Sequence, residues 1–83
     1  MYQVLLQKDA QKSLEKVDSK VLKRVMKSLE GLSANPYLGK PLSGQLKGLY
    51  SLRVWPYRII YEVHRKKLIV VVFTVEHRQN AYK

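Results

Sequence analysis

The chain has 83 residues, no cysteine, 46% hydrophobic residues and a formal net charge of +10. That length supports one modest core, and a single domain spanning residues 1–83 is expected. The composition excludes disulfides and thiolate metal ligands as sources of stability and argues against a disordered chain. No apolar run approaches the roughly 18 residues of a membrane span. Met1 to Leu6 carries neither the charged n-region nor the small-residue cleavage site of a signal peptide, so a cytoplasmic location and no membrane partner are expected.

Taken in chain order, Met1 to Gln7 holds Tyr2, Val4, Leu5 and Leu6 and suits a short strand. Asp9 is placed to cap a helix in which Ala10, Leu14 and Val17 form one apolar stripe. Asp18-Ser19 breaks that helix and caps a second, with Val21, Leu22, Val25, Met26, Leu29 and Leu32 on one broad face and Lys20, Lys23, Arg24, Lys27 and Glu30 on the other. Ser33-Ala34-Asn35-Pro36 ends it, because the residue before proline avoids the helical region. Tyr37 to Lys47, with Gly39, Pro41, Ser43 and Gly44, reads as a loop of ordinary length.

Three strands follow, at Leu49 to Val54, Tyr57 to His64 and Leu68 to Val75, joined by Trp55-Pro56 and Arg65-Lys66-Lys67. Such short turns force antiparallel pairing, so the three form a meander. Alternation puts Tyr50, Leu52 and Val54 on the helix-facing side together with Tyr57, Ile59, Tyr61 and Val63. The third strand is apolar on both faces and belongs in the middle of the sheet, with the N-terminal strand as its candidate neighbour. Glu76 to Lys83 is expected to be a polar tail. The fold class is α+β: a strand, a two-helix antiparallel hairpin, then a three-stranded antiparallel meander, with the helices on one sheet face.

The charge is uneven. From Gly31 onward only Glu62 and Glu76 stand against nine Lys and Arg. A compact domain with this imbalance repels itself, and a polyanion is the usual partner. A turn centred on Trp55-Pro56 pairs Arg53 with Arg58 on the face away from the helices. Like charges opposed across strands are destabilising. An anion between the two guanidinium groups relieves this, and the planar fork of arginine suits phosphate; the alternative is that both side chains splay into solvent. Arg78 follows the third strand, and Tyr82 lies four residues further on, where it can stack on an unpaired base or merely pack on the body. Lys47, Arg53 and His77 are candidate phosphate contacts. His64 reads as a solvated turn residue, and Glu62 as an ion-pair partner for an arginine on its face. The two histidines are too far apart for a metal site, so no metal or other cofactor is expected.

These residues resemble the RelE/ParE toxin superfamily along the whole chain. The resemblance runs through Leu32-Ser33-Ala34-Asn35-Pro36, Gly39-Lys40-Pro41-Leu42-Ser43-Gly44, Tyr50-Ser51-Leu52-Arg53-Val54, Tyr57-Arg58-Ile59-Ile60-Tyr61-Glu62-Val63 and Val75-Glu76-His77-Arg78 with Tyr82. It implies a ribosome-dependent mRNA endoribonuclease of the RelE-like branch, which cleaves mRNA in the ribosomal A site and is held inactive by an acidic antitoxin. It also implies roles: Arg58 as the transition-state arginine, Arg78 as a second arginine binding phosphate or protonating the leaving group, and Tyr82 as the terminal tyrosine. Ser51 stands where some ribosome-dependent members have lysine. The alternatives are a gyrase inhibitor of the ParE type and a non-catalytic RNA-binding module.

Overall fold

The computed structural model describes residues 1–77, so Arg78 and Tyr82 lie outside the described residues. Chain order is β1 (Gln3–Leu6), α1 (Lys8–Glu15), α2 (Ser19–Ala34), β2 (Lys40–Pro41), a single 3-10 turn (Gly44–Leu46), β3 (Leu49–Val54), β4 (Tyr57–His64) and β5 (Ile69–His77). The five strands form one sheet in the order β1-β5-β4-β3-β2, with β1 parallel to β5 and the other neighbours antiparallel. The meander is therefore as expected, and its last strand sits between β1 and β4.

Both helices lie on one face of the sheet. Ala10 of α1 and Val25, Leu29 and Leu32 of α2 are buried against Val54, Ile59, Tyr61, Val70, Val72 and Val75. Leu14 and Val21 pack on the same cluster, and Val17, just beyond α1, is also buried. The stripe on α2 is narrower than its sequence suggests, because Met26 is exposed. Asp18 does cap α2, accepting from the Lys20 amide at 3.2 Å. α1 starts one residue earlier than Asp9: its N-cap is Gln7, and Asp9 lies in the first turn, where an acid favours the helix dipole. The end of α2 holds β1, since the Tyr2 amide donates to the Ser33 carbonyl at 2.8 Å and the Ser33 hydroxyl donates to the Tyr2 carbonyl at 2.7 Å.

Two features of the sheet depart from the expected pattern. The loop after α2 contains β2, whose Lys40 and Pro41 pair with Ser51 and Tyr50 of β3. The last strand also runs two residues further than expected, through Glu76 and His77, and carries an irregularity. Ile60 faces Thr74 while Tyr61 faces Val72, so Phe73 is an extra residue on β5. Such a bulge shifts the alternation of everything beyond it. Val70 and Val72 point to the helices before it; Val75 points there after it, and Thr74 and Glu76 turn to the open face.

Candidate functional site: a cationic sheet face

The open face is built by register. β3 and β4 pair with Val54 opposite Tyr57 and Arg53 opposite Arg58. Val54 is buried and Tyr57 packs on the core, so their neighbours Arg53 and Arg58 point away from the helices. The Trp55-Pro56 peptide is cis, and the Trp55 carbonyl accepts from the Arg24 guanidinium of α2 at 2.7 Å, tying the turn to the helix layer. β2 adds a third cation. Lys40 faces Ser51, two residues before Arg53, so it shares the open face, and Lys40, Ser51 and Arg53 line a shallow cavity of about 390 Å³.

Arg58 is not left to repel Arg53. Its Nε and Nη2 donate to Oε2 of Glu76 at 3.3 and 3.2 Å. Glu76 is its register partner on β5, placed there by the bulge at Phe73. The pair is partly shielded, with side-chain exposures of 30% and 35%. Arg53 and Lys40 are exposed. The outcome is one guanidinium held in place by a carboxylate beside two cations open to a ligand.

The site rests on a lock beneath it. The Tyr61 hydroxyl donates to the Pro36 carbonyl at 2.8 Å and accepts from the Gly39 amide at 2.9 Å. Burial pushes the Tyr61 phenol above its usual range; the Gly39 bond works in the opposite direction, and the nearby Tyr50 adds to the rise. A Cβ at Gly39 would lie 2.7 Å from the Tyr61 hydroxyl and 2.8 Å from the Ser51 carbonyl oxygen. Only glycine lets the loop lie this close to β3, and the next residue is Lys40.

The other expected residues fall elsewhere. His77 pairs with Tyr57 and meets its ring edge-on at 5.2 Å, on the helix-facing side and away from the arginine pair. Lys47 lies at the opposite end of β3 from Arg53, just after the 3-10 turn. Glu62 reaches no arginine among the described residues; its Oε1 is 2.9 Å from Nε2 of His64. Among the described residues no three His, Cys, Asp or Glu side chains gather as a metal site requires. The reading from sequence missed Lys40 and Glu76. The lysine was legible only through the alternation of a two-residue strand, and the glutamate only through the bulge.

The fold is thus a five-stranded sheet covered by two helices on one side and cationic on the other. The chain belongs to the family of ParE toxins of type II toxin–antitoxin systems, whose family model it matches over residues 4–82. Toxin RelG of Mycobacterium tuberculosis is 33% identical over 84 residues, covering 99% of this chain and 97% of RelG. Toxin RelE of the same organism is 30% identical, covering 99% of this chain and 87% of RelE. The fold matches the crystal structure of the toxin–antitoxin complex RelBE2 from M. tuberculosis with a TM-score of 0.86 and 33% identity, over 93% of this chain and 98% of that one. The intact Escherichia coli RelBE complex matches with a TM-score of 0.78 and 25% identity, over 93% and 96%. The protein is thus a type II toxin of the RelE/ParE family. No helix among the described residues is long and apolar enough to cross a membrane.

Proposed function

We propose that this toxin is an endoribonuclease that cleaves mRNA in the ribosomal A site and so stops translation. The observation that carries the reading is the trio of Lys40, Arg53 and Arg58 on one sheet face, with Arg58 oriented by Glu76. Fixed cations of this kind suit a reaction in which charge grows on phosphate oxygens. In that reaction the RNA's own 2′-oxygen attacks the adjacent phosphorus and the bond to the 5′-oxygen breaks. The 2′-hydroxyl proton is lost, and the leaving oxygen takes up a proton. The products are a 2′,3′-cyclic phosphate and a 5′-hydroxyl.

Arg58 stabilises the equatorial oxygens, while Arg53 and Lys40 hold the flanking phosphates. Arg78 and Tyr82 complete the set by resemblance to the family. Arginine and tyrosine have ordinary pKa values of about 10 or above, so either is a poor proton carrier at neutral pH. An enzyme built this way benefits from having its substrate aligned by the ribosome. The names of the RelG and RelE relatives support this branch. A cognate antitoxin, as in the RelBE complexes, is expected to be acidic and to fold over the +10 chain.

The test is cleavage of a defined mRNA by purified toxin with and without translating ribosomes. Cleavage is expected only with ribosomes, falling about a hundredfold for Arg58→Ala. The family model's description as a ParE toxin favours one rival, inhibition of gyrase. Loss of supercoiling activity by purified gyrase without mRNA cleavage would establish that rival instead.

A further inference from the structure

Lys47 lies apart from the arginines, in a site of its own. β3 and β4 run antiparallel with Leu49 opposite Glu62, so the residues just before β3 and just after β4 emerge at the same end of the sheet. Lys47 and Arg65 both line a groove there of about 700 Å³, with Tyr2, Tyr37 and Tyr50. No acidic side chain among the described residues lines it. Lys47 lies two residues before β3, across a turn at Gly48, and the strand from Leu49 to Arg53 alone spans about 13 Å at 3.3 Å per residue. One nucleotide therefore cannot occupy both sites.

The aromatic part of this groove is rigid. Tyr50 stacks on the buried Tyr61 with ring centroids 5.5 Å apart, and Tyr37 meets Tyr50 edge-on at 5.7 Å. The backbone carrying Tyr37 is pinned on both sides, by its own amide donating to the Asn35 side chain at 3.1 Å and by the bonds from Tyr61 to Pro36 and Gly39. Tyr37 nevertheless stays 46% exposed. A fixed, half-open ring next to two exposed cations matches a planar base joined to a phosphate, the combination by which unpaired nucleotides are held.

We propose that this groove is a second RNA-binding site, taking an unpaired nucleotide with its base on Tyr37 and its phosphate between Lys47 and Arg65. It rests on RNA being the toxin's target, and it adds grip without chemistry. The site separates affinity from cleavage: the arginine face reacts, and the tyrosine end anchors.

The test uses the whole toxin, a short single-stranded RNA and an abasic analogue of equal length, with binding followed across a salt series. Tyr37→Ala is expected to weaken binding of the RNA about fivefold or more, whereas Tyr37→Phe keeps it and the abasic analogue does not distinguish the two. Replacing Lys47 and Arg65 together by alanine lowers the slope of log affinity against log salt by about 0.7 per cation. In single-turnover cleavage of ribosome-bound mRNA, each alanine variant is expected to need more toxin to reach its half-maximal rate. Thermal unfolding confirms that each variant folds. Unchanged affinity and unchanged salt slope overturn the proposal. So does a result in which the variants bind RNA normally but lose an acidic peptide, which would make the groove a polypeptide seat. Absence of mRNA cleavage by the unmodified toxin would instead strike at the proposed function, so the two failures are distinguishable.

Discussion

Replacing Glu76 by alanine tests how the arginine face works. In the native chain Glu76 accepts two bonds from Arg58 at 3.3 and 3.2 Å, with both side chains about a third exposed. Solvent screening at that exposure limits the pair's contribution to about 0.5–1 kcal/mol of stability. For a domain of this size that is about 4–8 °C in melting temperature per kcal/mol. The larger effect is expected in the proposed RNA cleavage. Without Glu76 the Arg58 guanidinium samples several rotamers and faces Arg53 across the strands, so it no longer waits where charge develops. A loss of about 1.4 kcal/mol in transition-state stabilisation is a tenfold drop in kcat. Ground-state RNA binding moves the other way, because a cation freed from its carboxylate can bind phosphate, steepening the salt slope by about 0.7. Glu76→Gln keeps an acceptor and should fall between the two. Single-turnover cleavage on ribosomes and a salt titration of RNA binding give both numbers. If kcat and the salt slope both match the native toxin, Glu76 does not position Arg58 and the reasoning is wrong.

Tyr61→Phe strands the Pro36 carbonyl and the Gly39 amide and should cost about 1–3 kcal/mol, measured by urea unfolding at neutral pH. Because the folded phenol titrates above its unfolded value, its contribution is fully present below about pH 10 and is lost as pH rises through the folded value. The stability gap between native and Tyr61→Phe proteins should therefore narrow above about pH 10, and a gap independent of pH would contradict this. Gly39→Ala forces a Cβ to within 2.8 Å of the Ser51 carbonyl and should destabilise by about 1–3 kcal/mol while also weakening RNA binding through Lys40. Lys40→Ala should leave the melting temperature within about 2–4 °C, because the residue is exposed, and lower the salt slope of RNA binding by about 0.7.

Much of the fold could be read directly from period and punctuation. Ala10 and Leu14 mark the inner face of α1, with Val17 buried just beyond it, and the Tyr-x-Ile-x-Tyr-x-Val alternation from Tyr57 to Val63 marks the inner face of β4. The opposition of Arg53 and Arg58 also followed from the two-residue turn between their strands. What alternation could not supply was a break in alternation. Counting by twos from Val70 and Val72 puts Glu76 under the helices, and Phe73 reverses this by doubling up against one step of β4. A bulge is a local change in hydrogen bonding, and its sequence, Val-Val-Val-Phe-Thr-Val, is apolar on both sides of the irregularity. β2 escaped notice for a different reason. Two residues carry no periodicity, and Lys40 and Pro41 are strand only because Ser51 and Tyr50 offer an edge.

The two residues missed from sequence are also the two that depend most on the core. Glu76 reaches Arg58 because the bulge at Phe73 allows Val75 to return to the core and leaves the next residue facing out. Lys40 joins Arg53 on the open face because the hydroxyl of Tyr61, buried in the core, accepts from the Gly39 amide and holds Gly39 against Ser51. In both cases a charge of the candidate site is placed by the buried residue next to its own position or its neighbour's. The consequence is that core substitutions in this toxin act on the site through register and not only through stability. A change that repacks Val75 or Tyr61 without unfolding the chain would rotate or withdraw a charge from the open face. Such a change would lower activity at constant melting temperature, whereas an ordinary loss of packing lowers both together.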